Sequence, residues 1–267
     1  FDLACASRVR SRTRRLTGTC ALGLSLALLL GLTVPGTARA ESPASPAAES
    51  MTDGERSWAI DAEIDNVVPV TLGAGVVVET PGRLRLGTSL GVMPGPYLDL
   101  VNAVSTGLDF YDQALADVIT QVQDRSMIWT LRAGWRPQSD GDLHLDVGYS
   151  RVALGGTVSA ADLMAISSIM VPAGEGLDDP FDIESTLHVA RVEVGYVFWL
   201  EDTYVRLAVG GAFTMSANTT VDAGSDASVS RENIAVAGAE ILDDTYTTYV
   251  HTGTVTLTLG YRLSGAR

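Results

Sequence analysis

The stretch Thr245–Leu263, TYTTYVHTGTVTLTLGYRL, decides how the rest of the chain is interpreted. From Thr254 onward, large apolar residues alternate with small, hydroxylated or charged ones. A period of two indicates a β-strand, because successive side chains leave opposite faces of the pleat. One face carries Val255, Leu257, Leu259, Tyr261 and Leu263, and the other carries Thr254, Thr256, Thr258, Gly260 and Arg262. Such a strand is typical of a barrel wall with lipid outside and a polar interior.

The same alternation recurs through the chain and predicts about eight strands if the segment Trp58–Ile64 is the first. The other segments lie at 70–78, 84–92, 127–135, 143–149, 190–198 and 205–213. Short turns are predicted at 80–82, 137–142 and 201–202, and long connections with helices at about 96–124, 158–182 and 217–244. The sequence therefore predicts an all-β transmembrane fold over 57–263. This fold is an antiparallel up-and-down barrel with helices in its long connections and strands of roughly 10 residues.

The first long connection carries a helical pattern, because its apolar residues recur at spacings of three and four. This stripe is Tyr97, Val101, Val104, Leu108, Tyr111, Leu115, Val118 and Val122. Gly107 is a candidate break, since a single rod over 97–123 would be about 40 Å long at ~1.5 Å per residue. A capping box at Ser159–Asp162 predicts a second helix, and a third short helix is predicted around 232–242.

The apolar stripe has two interpretations. In the first, the helical connections pack their apolar faces together as a lid over the barrel mouth. In the second, a hydrophobic recess between the lid and the barrel admits a lipid or another apolar molecule. The lid is favoured, because an exposed apolar stripe of this length would otherwise be an aggregation liability.

Residues 1–40 are predicted to be a secretory signal peptide. Five arginines from Arg8 to Arg15 precede the apolar run Leu22–Val34. Ala38–Ala40 then has the small-x-small pattern of a cleavage site. The apolar run is too short to span a membrane as a helix, so its removal is expected.

The segments at the two ends of the barrel are short. Residues 41–56 are rich in Ser, Pro, Ala and Glu and are predicted to be a flexible periplasmic lead-in. Residues 264–267 form a tail. Both cysteines, Cys5 and Cys20, lie within or ahead of the signal. The mature chain is therefore expected to have neither disulfides nor thiolate metal ligands, and no cofactor is expected.

The charge balance argues against nucleic acid as a partner. The formal net charge is −14, and residues 1–40 hold six arginines and one aspartate, which leaves −19 on the remainder. A protein this acidic repels phosphate backbones.

Aromatic residues gather at the short-turn end of the predicted strands, where an interfacial girdle is expected. The predicted girdle is Trp135, Tyr196, Phe198, Trp199 and Tyr261. By its signal, strand alternation, loop asymmetry and terminal strand, the chain resembles the small eight-stranded outer-membrane β-barrel proteins of Gram-negative bacteria over about 57–263.

This resemblance implies export through a cleaved signal and a final location in the outer membrane, at the cell surface. It also implies a periplasmic N-terminus, outward helical loops, contact with outer-membrane lipid, and folding by the barrel assembly machinery from the final strand. The class usually ends on an aromatic residue, whereas here Leu263 is followed by Ser264–Arg267.

Charged residues are predicted to line the lumen. They are Asp61, Glu63, Asp65, Glu79, Asp146 and Glu193, with Arg83, Arg85, Arg132, Arg136, Arg191, Arg206 and Arg262. Eight strands leave room only for side chains, and buried charges persist when they are paired. A ladder of salt bridges that plugs the barrel is therefore favoured over a charged, porin-like pore or a site for a small ion.

His144, His188 and His251 lie on three different predicted strands, and none has a visible catalytic partner in the sequence. Neither a catalytic site nor a metal site is predicted. The leading interpretation is a non-enzymatic outer-membrane barrel with a structural or surface-binding role. The alternatives are a barrel that binds or transports small apolar molecules, a barrel lipid hydrolase or acyltransferase, and, as a different architecture, a soluble lipocalin-like barrel.

Overall fold

A computed structural model describes residues 58–123, 125–137, 142–167, 179–224 and 227–264, all within one compact unit, Met51–Arg267. The predicted signal peptide, the predicted lead-in and the last three residues of the tail lie outside the described residues. Parts of the predicted turn at 137–142 and of the connection at 158–182 also lie outside them.

The described residues form eight strands that close into one antiparallel barrel. They are β1 Ala59–Val68, β2 Thr71–Glu79, β3 Leu84–Val92, β4 Arg125–Trp135, β5 Leu143–Val158, β6 Phe181–Leu200, β7 Thr203–Asp222 and β8 His251–Ser264. Each strand pairs with its neighbours in sequence, and β8 closes the barrel on β1. The predicted up-and-down barrel with helices in its long connections is confirmed, and it fits the architecture of a small outer-membrane β-barrel.

The two ends of the barrel differ in their connections. Among the described residues, four helices lie at one end, which we call the helical end: α1 Gly95–Gly107, α2 Gln113–Val122, α3 Ala160–Ser167 and α4 Val229–Tyr249. The two-residue β1–β2 turn also lies at this end. The other end, which we call the short-turn end, carries the remaining three connections and the outer ends of β1 and β8.

Local capping explains where the helices begin and end. α1 ends at Gly107, and α2 restarts after Asp112, whose side chain accepts a hydrogen bond from the backbone nitrogen of Leu115 at 3.0 Å. The predicted capping box before α3 is present, since the Ser159 hydroxyl donates to Asp162 Oδ2 at 2.7 Å and accepts from its backbone nitrogen at 3.2 Å. The helix predicted over 97–123 is therefore two helices.

The long connection between β7 and β8 differs from the prediction at its N-terminal end. Residues 217–222 were expected to begin a polar loop, but β7 continues through Asp222. They pair with β6 over Asp182–Leu187, so the neighbouring strand supplies partners for their backbone groups.

The same connection also differs from the prediction at its C-terminal end. α4 continues to Tyr249, beyond the predicted 232–242, so the residues from Thr245 onward that were expected to open the last strand are helical. The hydroxyl of Thr245 donates to the carbonyl oxygen of Ile241 at 2.7 Å, which satisfies it within the helix. Thr245 and Tyr246 also face the protein interior, and this packing overrides the strand propensity of a Thr/Tyr-rich stretch.

The strands are unequal in length. β1, β2 and β3 have 9 or 10 residues, whereas β5 has 16 and β6 and β7 have 20 each. The expected length of roughly 10 residues is therefore wrong for these three strands. They extend past the others toward the helical end.

The polarity of β6 reverses along its length. Near the short-turn end its inward residues include the charged Arg191 and Glu193, and its exposed outward residues are apolar. Near the helical end its inward residues are the buried Phe181, Ile183 and Leu187. The outward residues of that half include Asp182, Glu184, Thr186 and His188.

β5 reverses at the same level, because inward Ser150 is followed by inward Val152 and Leu154. The register partners Trp129, Arg151 and His188 lie side by side on β4, β5 and β6 and mark this level. We call the part on the short-turn side of this row the lower barrel and the part on the helical side the upper barrel. The exposed apolar surface of the lower barrel is called the belt.

The helices pack into the upper barrel. Strand residues such as Val152 and Ile183 form one buried cluster with residues of α2, α3 and α4, and this cluster is called the upper core. Its helical members include Leu115, Val118, Ile119, Val122, Leu163, Ile234, Leu242 and Tyr246. Within the described ranges, no helix is both long enough and apolar enough to cross a membrane.

Gly156 allows α2 to approach β5 closely. It faces inward between Leu154 and Val158, and a Cβ added there would overlap the backbone carbonyl of Gln121 near the end of α2. The close approach at Gly156 is therefore made by a helix and not by a neighbouring strand.

Candidate functional site

Charged side chains that face the inside of the lower barrel form a connected set of contacts, called the lumen network. Glu63 lies at one centre of it: Oε1 accepts from Arg85 at 2.9 Å and from the hydroxyl of Tyr204, and Oε2 contacts Arg132. All four side chains come from different strands, so the contacts cross the lumen. Arg132 also reaches Asp65 at 3.3 Å.

A second cluster lies at the short-turn end of the lower barrel. Arg262 of β8 pairs with Asp61 at 2.9 Å and with Glu79 at 3.1 Å, and Arg136 pairs with Glu79 at 2.6 Å. The ring of Trp199 lies against both arginines, with its centroid 4.6 Å from the Arg262 guanidinium carbon and 5.8 Å from that of Arg136.

A third cluster lies on β5, β6 and β7. Arg206 contacts Asp146 and lies 3.6 Å from Glu193, and Arg191 lies 3.3 Å from Glu193. Thr256 of β8 donates to Glu193 at 2.7 Å, which supports this carboxylate from the strand beyond β7. The hydroxylated face of the opening stretch therefore supplies donors to the network.

The network balances its charges. Among the described residues it joins six carboxylates, those of Asp61, Glu63, Asp65, Glu79, Asp146 and Glu193, to six guanidinium groups, those of Arg85, Arg132, Arg136, Arg191, Arg206 and Arg262. A buried charge without a partner is costly, and this matching offsets part of the cost of burying the charges.

Arg83 was predicted to join this network, and this prediction is wrong. It precedes β3 in the β2–β3 turn, with a φ of 68°, and it makes none of the salt bridges found in the described part of the chain. The alternation was extended one residue too far, because Arg85 is the first inward residue of β3.

Gly260 and Tyr204 fit together inside the lower barrel. Tyr204 is fully buried, and a Cβ added at Gly260 would overlap its ring. The glycine in the otherwise hydroxylated face of β8 therefore makes room for an aromatic ring in the lumen.

The predicted aromatic girdle divides into two groups. Trp135, Tyr196, Phe198 and Tyr261 are exposed on the outside near the short-turn end. Trp199 instead shares the inward register of Glu193 and Val197, and its ring lies 4.7 Å from that of Tyr204. Its assignment to the outer girdle is therefore wrong, because the alternation of β6 turns it into the lumen.

Aromatic side chains that the sequence analysis did not assign to a girdle lie at the other edge of the belt. They are Trp129, Tyr149 and Phe213, near the row that marks the polarity reversal. Their outward register in strands with alternating polarity was the signal that could have identified them.

The three histidines lie apart from one another. His144 is buried in the lumen network, 3.4 Å from Asp146. His188 faces outward and shares a hydrogen bond of 2.5 Å with the hydroxyl of Tyr149. His251 lies beside the ring of Phe213, 6.0 Å away. Within the described residues, no three His, Cys, Asp or Glu side chains are grouped as a metal site.

Only part of the predicted apolar helix stripe is packed together in the structure. Leu115, Val118 and Val122 are buried in the upper core, and Tyr111 packs against it. Val104 and Leu108 are about half exposed, contrary to the expectation that the whole stripe packs. The break after Gly107 separates α1 from α2, so a stripe that is continuous in sequence is not continuous in space.

Two tyrosines near the upper core have altered acidity. Burial raises the pKa of Tyr246 on α4 above its ordinary value of 10.0. Burial also raises the pKa of Tyr111, between α1 and α2. In both cases the buried surroundings disfavour the phenolate.

A groove of about 930 Å³ lies against the wall of the upper barrel, and we call it the lateral groove. Its walls are α1, the end of α2, and strands β4, β5 and β6. Outward-facing Arg151, Ala153 and Thr186 contribute to the strand wall, and Leu98 contributes from α1.

Comparisons with known proteins found similarity to a solved structure. No family model matches the chain, and no curated protein matches it. The crystal structure of Acinetobacter baumannii CarO2 is similar with a TM-score of 0.33 and 11% sequence identity, over 76% of this chain and 98% of that one. This similarity implies no shared function.

Proposed function

We propose that the protein is a non-enzymatic barrel of the outer membrane, whose lumen is closed and whose helices cap the end facing away from the periplasm. Its role is structural or surface-binding. The observation that carries this proposal is the pairing of an apolar belt outside with a charge-matched network inside the same strands. A soluble barrel has the opposite polarity, with apolar side chains inside.

The dimensions of the belt support placement in a bilayer. On β6 the exposed apolar residues extend from Val192 to Leu200. Eight residue steps at ~3.3 Å span about 26 Å along the strand, which is about 20 Å across the bilayer at a strand tilt of ~40°. Membrane barrels carry an apolar band about 25 Å tall, with aromatic residues at both edges.

The side chains inside the barrel support a closed lumen. Asp61, Glu63 and Arg206 are at most 2% exposed, so solvent does not reach the centre of the lumen network. Above them the upper core fills the space between the strand extensions with apolar side chains. Water and ions would have to displace both layers to cross.

A reconstitution experiment tests this function. The protein is refolded into phosphatidylcholine vesicles and into a planar bilayer. We expect a heat-modifiable band on gels, protection of the strands from protease, and no steady ion conductance. A protein that stays in the aqueous fraction would contradict membrane placement, and a reproducible single-channel conductance would contradict the closed lumen.

A second candidate function rests on the lateral groove. It matches the recess between helices and barrel in which a lipid or another apolar molecule could bind, since Leu98 of α1 and Ala153 of β5 both line it. In this alternative the barrel binds a small amphiphile at its outer wall. Recovery of the folded barrel with a tightly bound acyl lipid after detergent exchange would support it.

A lipid hydrolase or acyltransferase remains the enzymatic alternative to the proposed role. His188 is the outward histidine nearest the belt edge, and its ring shares a hydrogen bond with Tyr149. Release of fatty acid from phospholipid by the refolded barrel, abolished by His188→Ala, would overturn the non-enzymatic proposal.

A further inference from the structure

The lateral groove lies directly at the upper edge of the belt. Arg151 on its wall is the register partner of Trp129, one of the aromatic residues that edge the belt. Val92 and Met127, which also line the groove, are more than 49% exposed. A ligand in the groove can therefore keep apolar groups against the belt while its polar part lies beside the groove wall.

Two arginines of the groove have no carboxylate partner among the residues that the structure describes. Arg125 and Arg151 line it and form none of the salt bridges found among the described residues. All six arginines of the lumen network are paired, in a chain whose net charge is −14. Two outward arginines left unpaired in so acidic a chain provide donors for an anion.

The position of the charges along the wall indicates how a ligand would lie. Arg151 is in the row at the belt edge, whereas Arg125 and Glu184 both flank Gly155, four residues farther along β5. Four residue steps correspond to about 13 Å. The cation nearest the belt is therefore an arginine, whereas the two carboxylates of the lining belong to Glu184, farther along the strands, and to Asp99 on α1.

Between the two arginines, the groove wall carries only small residues. Ala153 and Gly155 are the outward residues of β5 there, and the atoms nearest to a Cβ added at Gly155 lie 3.7–3.9 Å away and include Arg125 Nε. The side chain of Arg125 therefore lies over a part of β5 that has no large side chains. From there its guanidinium can reach a ligand group bound over Ala153.

We infer that the lateral groove binds the phosphate-bearing headgroup of an acyl lipid, with Arg151 as the main phosphate donor, Arg125 as the second, and the acyl chains running down the belt. The inference rests on the membrane placement proposed above. Guanidinium groups recognise phosphate through two parallel hydrogen bonds, which a carboxamide cannot replace.

The test uses the full chain refolded in maltoside micelles, which contain no phosphate. Dioleoylphosphatidic acid and dioleoylglycerol, which share the same acyl chains, are added separately, and retention is measured by native mass spectrometry. The wild-type protein is expected to retain phosphatidic acid at least tenfold more tightly than dioleoylglycerol. Arg151→Gln is expected to weaken retention about tenfold and Arg125→Gln about threefold, since a charged hydrogen bond is typically worth that much or more.

Arg83→Gln is the matched control, because Arg83 is an arginine without a salt bridge at the opposite end of the barrel. It should retain phosphatidic acid like the wild type. Equal retention of the two lipids, or equal loss in all three variants, would overturn the inference. Binding of glycerol 3-phosphate as tight as that of phosphatidic acid would show a site for free phosphate and would also overturn it. Failure of the wild type to fold in micelles or to enter vesicles would instead overturn the proposed membrane function.

Discussion

The lower and upper halves of β5, β6 and β7 use the same alternation with opposite polarity. In the lower barrel Arg191 and Glu193 point inward and Val192 and Val194 outward. In the upper barrel Ile183 points inward and Glu184 outward. The pairing of β5 with β6 runs unbroken through both halves, whereas the pairing of β6 with β7 shifts register between His188 and Val189, at the level of the reversal. The inward residues of β6 keep the same alternation across this level, so we attribute the change in polarity to different surroundings. We interpret the lower half as adapted to lipid and the upper half as adapted to water.

This difference separates two ways of filling a barrel. The lower barrel is held by ion pairs whose members each need a partner, whereas the upper core is held by apolar contacts between strands and helices. Leaving a buried charge without its partner lowers the free energy of unfolding more than leaving a cavity of similar size. Substitutions in the two halves can be compared on this basis.

The largest effect is expected from Glu63→Gln in the lower barrel. The change leaves Arg85 and Arg132 without their shared carboxylate, and the expected loss is about 3–5 kcal/mol in the free energy of unfolding. Urea unfolding of the barrel in vesicles measures it. Arg83→Gln, which removes an arginine that has no salt bridge, should change the free energy by less than about 0.5 kcal/mol. A loss below about 1 kcal/mol for Glu63→Gln would show that the network is not a closed set of pairs.

Leu242→Ala should destabilise the upper barrel by about 3 kcal/mol through the cavity it leaves, and leave the lower barrel intact. Leu242 is fully buried on α4, whereas Val236 on the same helix is 60% exposed and gives the matched control Val236→Ala. Hydrogen exchange should accelerate in α4 and not in β1 to β3. Acceleration throughout the barrel would mean that the two halves unfold as one unit.

Gly156→Ala should loosen the contact between α2 and β5 by about 1–3 kcal/mol, because the added methyl group overlaps the Gln121 carbonyl. The neighbouring Gly155→Ala faces outward with ordinary contact distances and should cost little. Hydrogen exchange of α2 measures both. Equal effects at the two glycines would argue that strand flexibility, and not the fit of the helix, explains Gly156.

The smallest expected effect is on how the stability of the upper barrel depends on pH. Because burial raises the pKa of Tyr246 in the folded protein, unfolded chains lose the phenol proton first as the pH rises above about 10. The stability of the upper barrel should therefore fall as the pH increases from about 10. Tyr246→Phe should reduce this slope, and Tyr249→Phe, at an exposed position on the same helix, should not. An unchanged slope in Tyr246→Phe would contradict the buried position of its hydroxyl.

Much of the fold could be predicted because a strand pattern is local. The alternation of Val255–Leu263 and the capping box at Ser159 are readable from neighbouring residues alone, and both elements are present. The inward register of the network residues on β1 followed from the same alternation. What could not be read locally was the end of α4, where burial of Thr245 and Tyr246 overrides a strand-like sequence.

The candidate sites were less predictable than the fold. Trp199 was placed outside because aromatic residues are typical of girdles, although its odd position in β6 puts it on the inward face. The lateral groove could not be predicted from spacing, since Arg125, Arg151 and Leu98 come together only in the folded protein, where they line one groove from different elements. The polarity reversal did have a signal, because four of the five odd positions from Phe181 to Val189 are apolar, whereas from Val192 to Leu200 the even positions are apolar.

Site-directed spin labelling along β6 tests most directly whether lipid surrounds only the lower half of the strands. Cysteine is introduced singly at Glu184, Thr186, Val194 or Phe198 in a chain with Cys5 and Cys20 replaced by serine, and the protein is reconstituted in vesicles. We predict that labels at Val194 and Phe198 are relaxed mainly by dissolved oxygen and labels at Glu184 and Thr186 mainly by a water-soluble nickel complex. The same high accessibility to nickel at all four positions would contradict the membrane-embedded lower barrel.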